Sequence, residues 1–297
     1  METASSATLP DVASTPASRS QSRHLADLIA ACAVNSLMQE LATWPKPGLI
    51  SHVDSGSHTD MDAATLQASA EAIRPFFAEL ALAGAEYAGM GRLRSIGVRA
   101  ESAMMSATGG INTHRGAIFG LGLLCAAAGL VAEKAESGRI FSPARLGAVV
   151  SQQWGEEIRQ GPIPLFSHGS SVLRRYGAGG ARAEAASGFP SIYEVGLPAL
   201  REARSIAPHD AEAARIHACF ALISKVEDTN LLHRGGAEGA RYAAEAAADF
   251  LSNGGIGATG WRNAAAAVHA GFVSRRLSPG GCADLLAMTL FVDFLEV

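Results

Sequence analysis

Apolar residues recur at helical spacing along nearly the whole chain, and this pattern constrains the fold more than any other feature. Between residues 211 and 225, for example, Ile216, Phe220 and Ile223 would share one face of a helix. Runs in which β-branched residues alternate with polar ones, the signature of a half-buried strand, are absent. The sequence therefore predicts an all-α fold, with a single compact multi-helix domain over residues 24–297.

The predicted helices lie between polar loops. The segment 63–87 contains Pro75, which predicts a kink because proline has no backbone N–H to donate. After a first helix that starts at Leu25, further helices are predicted at residues 95–106, 117–136, 143–159, 211–225, 237–251, 261–277 and 282–295.

Composition narrows the classes of partner. Charged residues make up 18% of the chain, the formal net charge is −4, and no large basic block is present. These features argue against charge-driven binding to nucleic acid or to an anionic membrane surface. The longest apolar run, residues 117–132, is shorter than the roughly 20 residues that a membrane span needs. We therefore expect neither nucleic acid nor membrane as a partner.

The N-terminal segment and the cysteines bear on location. Residues 1–23 are rich in Ser, Thr, Ala and Pro, which predicts a disordered tail, and they lack the apolar core of a signal peptide. The cysteines lie far apart in apolar helical contexts, which predicts buried free thiols; they are Cys32, Cys125, Cys219 and Cys282. Both observations favour the reducing cytoplasm.

Residues capable of chemistry are concentrated in five glycine-rich loops. Their sequences are KPGLISHVDSGSHTDMD (46–62), GGINTHRG (109–116), LFSHGSSVLRRYGAGGARAEAASGFPS (165–191), KVEDTNLLHRGG (225–236) and SPGGCAD (278–284). Glycine allows a backbone to approach a ligand closely, and helix N-termini offer N–H groups to anions. We therefore expect these loops to converge on one ligand-binding cleft.

Three cations stand beside or near a glycine in these loops: Lys46, Arg115 and Arg234. The guanidinium group of arginine matches pairs of phosphate oxygens, and lysine offers a compact positive charge. Together they favour a polyanionic ligand, although the chain has no Walker-type phosphate loop. The alternative is that each is a surface or capping cation.

The first loop also carries a cluster of possible ligands for a hard cation such as Mg²⁺. They are Asp54, His58, Asp60 and Asp62. Either Asp60 or Asp62 could instead cap the helix that follows. Asp228 and Asn230 come just after a predicted helix end, where they would face a cleft. The histidines lack the spacing of a zinc site, and no thiolate cluster accompanies them.

The nine histidines divide into two groups. Those in the glycine-rich loops suit general acid–base or hydrogen-bonding roles; they are His52, His58, His114, His168 and His233. The others, His24, His209, His217 and His269, are predicted to be structural or exposed. Ser57 and Ser167 each precede a histidine directly, an adjacency that points the two side chains apart, so no nucleophilic triad is predicted.

Several of these segments resemble the triphosphoribosyl-dephospho-CoA synthase family. The segments are TWPKPGLISHVDSGSHTDMD, GGINTHRGAIFGLG, EDTNLLHRGG and SPGGCADLLAMTLFVD, in the order that the family has them. The resemblance runs from about Leu25 to the C-terminus. It implies a transferase that joins ATP, through C1 of its ribose, to the 2′-hydroxyl of 3′-dephospho-CoA and releases adenine. The product, 2′-(5″-triphosphoribosyl)-3′-dephospho-CoA, is the precursor of an acyl carrier protein prosthetic group.

The resemblance further implies a pathway. A partner enzyme, a phosphoribosyl-dephospho-CoA transferase, would attach the product to the acyl carrier protein. Members of the family serve either malonate decarboxylase or citrate lyase, and this chain looks closer to the malonate decarboxylase type. The α linkage of the product, formed from a β-configured nucleotide, implies direct displacement without a covalent enzyme intermediate. The apolar helices would permit a homodimer.

The resemblance gives roles to the loop residues. Mg²⁺ is expected with ATP, and its candidate ligands are Asp60, Asp62 and Asp228. The catalytic candidates are Asp54, Asp60, Asp228 and His58. The candidates for binding ATP or the second substrate are Lys46, His114, Arg115, Arg182, Glu184, Asn230, His233 and Arg234, with Lys225 as a lesser candidate.

Two other readings stay open. A Mg²⁺-dependent all-α hydrolase of ADP-ribosyl groups would also use clustered aspartates and act at a ribose C1, but it would need no dephospho-CoA. A non-catalytic helical scaffold would explain the alanine-rich helices, although not the charged glycine loops.

Overall fold

The computed structural model describes residues 16–134, 143–162 and 179–295, and these residues form helices joined by loops, with no strand among them. The helices are α1 (Pro16–Leu41), α2 (Ala63–Ala85), α3 (Met90–Ala107), α4 (Arg115–Lys134), α5 (Pro143–Gln160), α6 (Gly180–Ala186), α7 (Leu197–Ile206), α8 (Ala211–Lys225), α9 (Thr229–Ser252), α10 (Trp261–Ser274) and α11 (Gly280–Phe294). The prediction of an all-α fold is confirmed.

Most predicted helices are present within a few residues of their expected ends, and α8 begins and ends where predicted. Helix α2 continues through Pro75. Two short helices, α6 and α7, lie where no helix was predicted. Helix α1 begins at Pro16, so it overlaps the end of the segment 1–23 that was predicted to be a tail; residues 1–15 lie outside the described residues.

Helix α9 departs most from expectation. The segment 225–236 was predicted to be a loop, yet α9 begins at Thr229 because the side chain of Asp228 caps it. The helix is interrupted at Gly236, which has a φ of 62° and a ψ of −165°. Such a backbone conformation strains most other residues, so the glycine permits the kink.

The core is built around α4, which packs against α1, α2, α3, α5 and α11. Its contact with α2 is close: a Cβ atom added at Gly129 would lie 1.9 Å from the carbonyl oxygen of Ala81. Helix α4 is the one helix among the described residues that is long and apolar enough to cross a membrane, and 78% of its apolar window is buried inside the protein. Small residues therefore let a nearly all-apolar helix serve as the central core element.

Helix α11 packs against helices from both ends of the chain. Its partners include α1 and α4 and also α8. Ten of its residues, from Cys282 to Asp293, are buried, and its residues 280–284 lie against the starts of α4 and α9. The start of α11 is thus held beside the starts of two other helices.

The prediction that the cysteines are buried free thiols is confirmed for three of the four. All four are free; Cys125, Cys219 and Cys282 are buried and Cys32 is partly buried. Burial raises the pKa of each thiol, to about 12 for Cys219. These thiols are therefore uncharged packing groups rather than nucleophiles.

Candidate active site

A cleft of about 870 Å³ opens where the glycine-rich loops meet. Its walls come from the end of α1, from the loop before α2, and from the starts of α4, α6, α9 and α11. Each of the five loops contributes lining residues within the described part of the chain. The expectation that the loops converge therefore agrees with the structure. The first half of the third loop, including Ser167 and His168, lies outside the described residues.

Asp228 is buried in this cleft between two helix starts. Its Oδ1 accepts hydrogen bonds from the backbone amides of Asn230 (2.7 Å) and Leu231 (3.4 Å) at the start of α9. Its Oδ2 accepts one from the amide of Cys282 in the first turn of α11 (2.8 Å). Burial raises the pKa of this carboxyl, and the backbone amides oppose that effect. Asp228 therefore fixes α9 against α11.

Asp284, the fifth residue of α11, is a second cleft aspartate and was not among the predicted site residues. Its side chain approaches the start of α4, where a Cβ atom added at Gly116 would lie 1.9 Å from Oδ2. Burial raises its pKa well above the ordinary value, and the negative charges of Asp228 and Glu40 raise it further. One feature of the sequence could have identified Asp284: it is a charged residue four positions after Gly280 and directly before a long apolar run.

Lys46, predicted to bind phosphate, lies outside the cleft lining and is fully buried. Its Nζ donates to the carbonyl oxygen of Glu40 (2.7 Å) and contacts the Glu40 carboxylate. Glu40 does line the cleft; burial raises the pKa of its carboxyl and Lys46 lowers it. The lysine therefore neutralises a buried carboxylate behind the cleft wall.

His58 lies on the cleft wall with Arg234. The Nη2 atom of Arg234 is 3.3 Å from His58 Nδ1, and His58 Nε2 is 2.9 Å from the hydroxyl of Ser278. Burial lowers the pKa of His58, the Arg234 charge lowers it further, and Asp60 opposes both. Arg234 also donates to the carbonyl oxygens of Ser57 and Arg276, both at 3.3 Å. The pair thus links the first loop to the start of α9.

His114 stands just before α4 and is buried. Its Nδ1 lies 2.7 Å from the hydroxyl of Ser69, which in turn accepts a hydrogen bond from Thr113 (2.7 Å). Burial lowers the pKa of His114 to about 4. At neutral pH this imidazole is therefore uncharged, and it can offer a substrate a hydrogen bond but no positive charge.

The exposed cations of the cleft are Arg115, Lys225 and Arg234. Arg115 donates to the carboxylate of Glu101 (2.9 Å) on α3. Arg182, a predicted binding residue, points away and donates to the carbonyl oxygen of Ile158 (2.6 Å). Of the predicted binding cations, Arg115 and Arg234 therefore line the cleft, and so does the lesser candidate Lys225. Lys46 and Arg182 do not.

Glu184 and Asn230 line the cleft as predicted. The carboxylate of Glu184 accepts hydrogen bonds from the backbone amide and the hydroxyl of Ser191, at 2.7 and 3.0 Å. Burial raises the pKa of Glu184. The Asn230 amide group lies against Gly280, where an added Cβ would be 3.1 Å from Nδ2.

Other predicted site residues do not line the cleft: Asp54, Asp60, Asp62, Arg182 and His233. Asp54 accepts from the indole N–H of Trp44 (2.9 Å) and pairs with His269 (3.2 Å). Asp62 caps α2 by accepting from the amide of Thr65 (2.9 Å), as the alternative reading held. Asp60 is 59% exposed, and His233 is exposed.

A protein-only magnesium cage does not fit this arrangement. Of the three candidate ligands, Asp228 lines the cleft, whereas Asp60 and Asp62 do not. Both oxygens of Asp228 already accept backbone N–H groups. Among the described residues, no group of three or more His, Cys, Asp or Glu side chains is placed to hold a metal ion.

Comparison with known proteins shows that this chain matches one protein family and is similar to several of its members. Residues 26–297 match the family described as ATP:dephospho-CoA triphosphoribosyl transferase. A protein of Azotobacter vinelandii is 40% identical over 277 residues, which cover 92% of each chain. A protein of Pseudomonas fluorescens strain Pf0-1 is 38% identical over 92% of this chain and 93% of its own length. A protein of Stutzerimonas stutzeri is also 38% identical, over 93% of this chain and 94% of its own length. Each is named "Probable 2-(5''-triphosphoribosyl)-3'-dephosphocoenzyme-A synthase". No solved structure matches with comparable significance.

Proposed function

This chain belongs to the ATP:dephospho-CoA triphosphoribosyl transferase family and is a transferase, and from that premise we propose its reaction in detail. The enzyme joins C1 of the ATP ribose to the 2′-hydroxyl oxygen of 3′-dephospho-CoA. The bond between C1 and the adenine nitrogen breaks, and adenine leaves with its electron pair. The triphosphate stays intact in the product, 2′-(5″-triphosphoribosyl)-3′-dephospho-CoA.

One observation supports placing this reaction in the cleft: two of its aspartates are buried or partly buried, whereas the cations that line it are exposed. Asp228 is buried and Asp284 is partly buried, whereas Arg115, Lys225 and Arg234 are exposed. Displacement at a ribose C1 develops positive charge on the sugar, and nearby carboxylates stabilise that charge. Exposed cations suit a triphosphate tail, which keeps its charge throughout. The ribose would thus lie deep, with the triphosphate toward solvent.

The apolar part of the lining suits the remaining groups. Leu37, Leu49, Ile50, Met61 and Leu66 form one stretch of the wall between α1 and α2. A flat purine buries its faces well against such side chains. We assign this stretch to adenine, and we assign the uncharged His114 at the same end of the cleft to a hydrogen bond with the base or the sugar.

We propose that magnesium reaches the site as part of the MgATP substrate. Mg²⁺ is usually held by one or two carboxylates together with substrate phosphates and waters, rather than by a dedicated protein cage. The described residues offer no such cage, which is consistent with an ion that arrives on the triphosphate. The same ion would reduce repulsion between the triphosphate and the cleft carboxylates.

We further propose that the product serves malonate decarboxylase; service to citrate lyase is the alternative. In either case a phosphoribosyl-dephospho-CoA transferase would receive the product and attach it to an acyl carrier protein. We place the enzyme in the cytoplasm, where ATP and dephospho-CoA are available and its buried thiols remain reduced. We also propose that the protein is a homodimer, which its mass in sedimentation experiments would test.

The direct experiment incubates the pure protein with ATP, Mg²⁺ and dephospho-CoA and measures adenine by chromatography. We expect adenine only when both substrates are present. An all-α ADP-ribosyl hydrolase would instead release a free ribosyl species from an ADP-ribosylated substrate without dephospho-CoA. Adenine release that is independent of dephospho-CoA would contradict the proposed transfer.

A further inference from the structure

Resting on the proposed transfer reaction, we propose that Asp284 accepts the proton of the hydroxyl group that attacks the ATP ribose. Asp284 is the fifth residue of α11 and lines the cleft. It replaces Asp54 and Asp60, which do not line the cleft, as the candidate for this role.

Five carboxylates line the cleft within the described part of the chain, and three of them already contact donor groups of the protein side chains or backbone. Glu40 is paired with the buried ammonium group of Lys46. Both oxygens of Glu184 accept from Ser191. Both oxygens of Asp228 accept backbone N–H groups. The donors already in place occupy lone pairs that a substrate hydroxyl would need, and they oppose the effect of burial on the pKa of these carboxyls.

The other two carboxylates are Glu227 and Asp284. Glu227 is exposed, so water solvates its charge at the mouth of the cleft. Asp284 is partly buried, and the one donor that the described residues supply to it is the backbone amide of Ala117. The negative charges of Asp228 and Glu40 also raise the pKa of its carboxyl, and a raised pKa makes the ionised carboxylate a stronger proton acceptor. Of the five, Asp284 therefore combines enclosure with free lone pairs.

Because Gly116 has no side chain, the Asp284 carboxylate can occupy the space beside it. The distance of 1.9 Å between an added Cβ at position 116 and Asp284 Oδ2 is far below van der Waals contact, so a side chain here would displace the carboxylate. Gly116 is the second residue of α4, immediately after Arg115 at the cleft mouth. The glycine of this loop thus makes room for an acidic side chain of the protein.

The step balances as follows. The O–H bond of the 2′-hydroxyl breaks and its proton passes to Asp284, while the oxygen forms a bond to C1 of the ATP ribose. The C1–N9 bond breaks, its electron pair leaves on adenine, and adenine takes up a proton from water. Asp284 then returns its proton to solvent. No oxidant, reductant or further reactant is needed.

The test replaces Asp284 with asparagine, which keeps the size of the side chain but cannot accept the proton. General-base removal typically costs about 10²- to 10⁴-fold in rate, so we expect kcat for adenine release to fall at least 100-fold in Asp284→Asn. ATP affinity, measured by calorimetry, should change less than threefold. The matched control is Asp249→Asn, an exposed aspartate of α9 outside the cleft, which should keep wild-type kcat.

A second pair of variants guards against misfolding of the first. Gly116→Ala should lower kcat by pushing the carboxylate aside, whereas Gly97→Ala in α3, where an added Cβ meets nothing within 4 Å, should not. Circular dichroism checks that each variant is folded.

The inference is overturned if Asp284→Asn keeps kcat within threefold. It is also overturned if the loss of rate is matched by a loss of ATP affinity, because Asp284 would then be a substrate-holding residue. Wild-type protein that releases no adenine would overturn the proposed function itself, and the inference with it.

Discussion

The carboxylate of Asp228 accepts a 2.8 Å hydrogen bond from the backbone amide of Cys282, so one buried side chain caps α9 and ties it to the first turn of α11. Two helix starts that are distant in sequence are thereby fixed on the same wall of the cleft. The aspartate that sequence reasoning gave to catalysis or metal binding is engaged in building the site.

Replacing Asp228 with alanine should therefore destabilise the protein more than loss of an ordinary cap. A lost N-cap costs about 1 kcal/mol, and buried amides left without an acceptor cost about 1–3 kcal/mol more. We expect Asp228→Ala to lower the free energy of unfolding in urea by about 2–4 kcal/mol. The matched control is Asp62→Ala, which removes the exposed cap of α2 and should cost about 1 kcal/mol. Equal losses would show that the link to α11 contributes nothing.

Lys46 should behave as a structural cation. Removing one partner of a buried ion pair leaves an uncompensated charge and costs about 3–5 kcal/mol. We expect Lys46→Met to lose that much unfolding free energy, and the double variant with Glu40→Gln to recover at least half of the loss. If Lys46→Met instead kept its stability and bound ATP more weakly in calorimetry, the lysine would belong to the triphosphate site.

The buried His114 should make stability fall in acid. Its pKa is about 4 in the folded protein, below its ordinary value of 6.5, so the unfolded chain binds the extra proton between these values. The contribution is complete above pH 6.5 and is lost as pH falls from 6.5 to 4, by about 3 kcal/mol. The variant His114→Asn should show a correspondingly shallower decline in urea unfolding. His209→Asn, at an exposed position, should follow the wild-type curve; parallel curves for all three proteins would contradict the burial argument.

Arg234 should contribute to ATP binding. It is exposed, lines the cleft and faces His58, and among the described residues its donors contact only backbone carbonyls and that imidazole. We expect Arg234→Ala to weaken ATP binding at least tenfold by calorimetry, as loss of a charge-assisted contact should. Arg241→Ala, on the same helix and outside the cleft, is the control. A variant that lost stability but kept ATP affinity would reassign Arg234 to tethering the first loop.

Much of the architecture followed from local patterns, because α8 has apolar residues at helical spacing and α4 and α11 are long apolar runs. The start of α9 did not, since it depends on Asp228 acting as a cap, and capping residues also favour loops. The convergence of loops on one cleft was predictable from their shared glycine and charge content. Which of the predicted residues line the cleft, and which are buried behind its walls, was not predictable.

Two examples show why. Lys46 and Arg115 look alike in sequence, each near a glycine, yet one is fully buried against Glu40 and the other is exposed at the cleft mouth. Asp284 was hidden in an apolar helix, and only its packing against Gly116 and the nearby charges of Asp228 and Glu40 mark it. Burial and long-range contact decide such roles, and neither can be read from local spacing.

The most direct test of the central claim follows the triphosphate. Wild-type protein is incubated with dephospho-CoA, Mg²⁺ and ATP labelled on its γ-phosphate, and the products are separated by chromatography. The account predicts that the label moves to dephospho-CoA with one adenine released per label transferred. Label found in free phosphate or in free triphosphoribose, with dephospho-CoA unchanged, would contradict it.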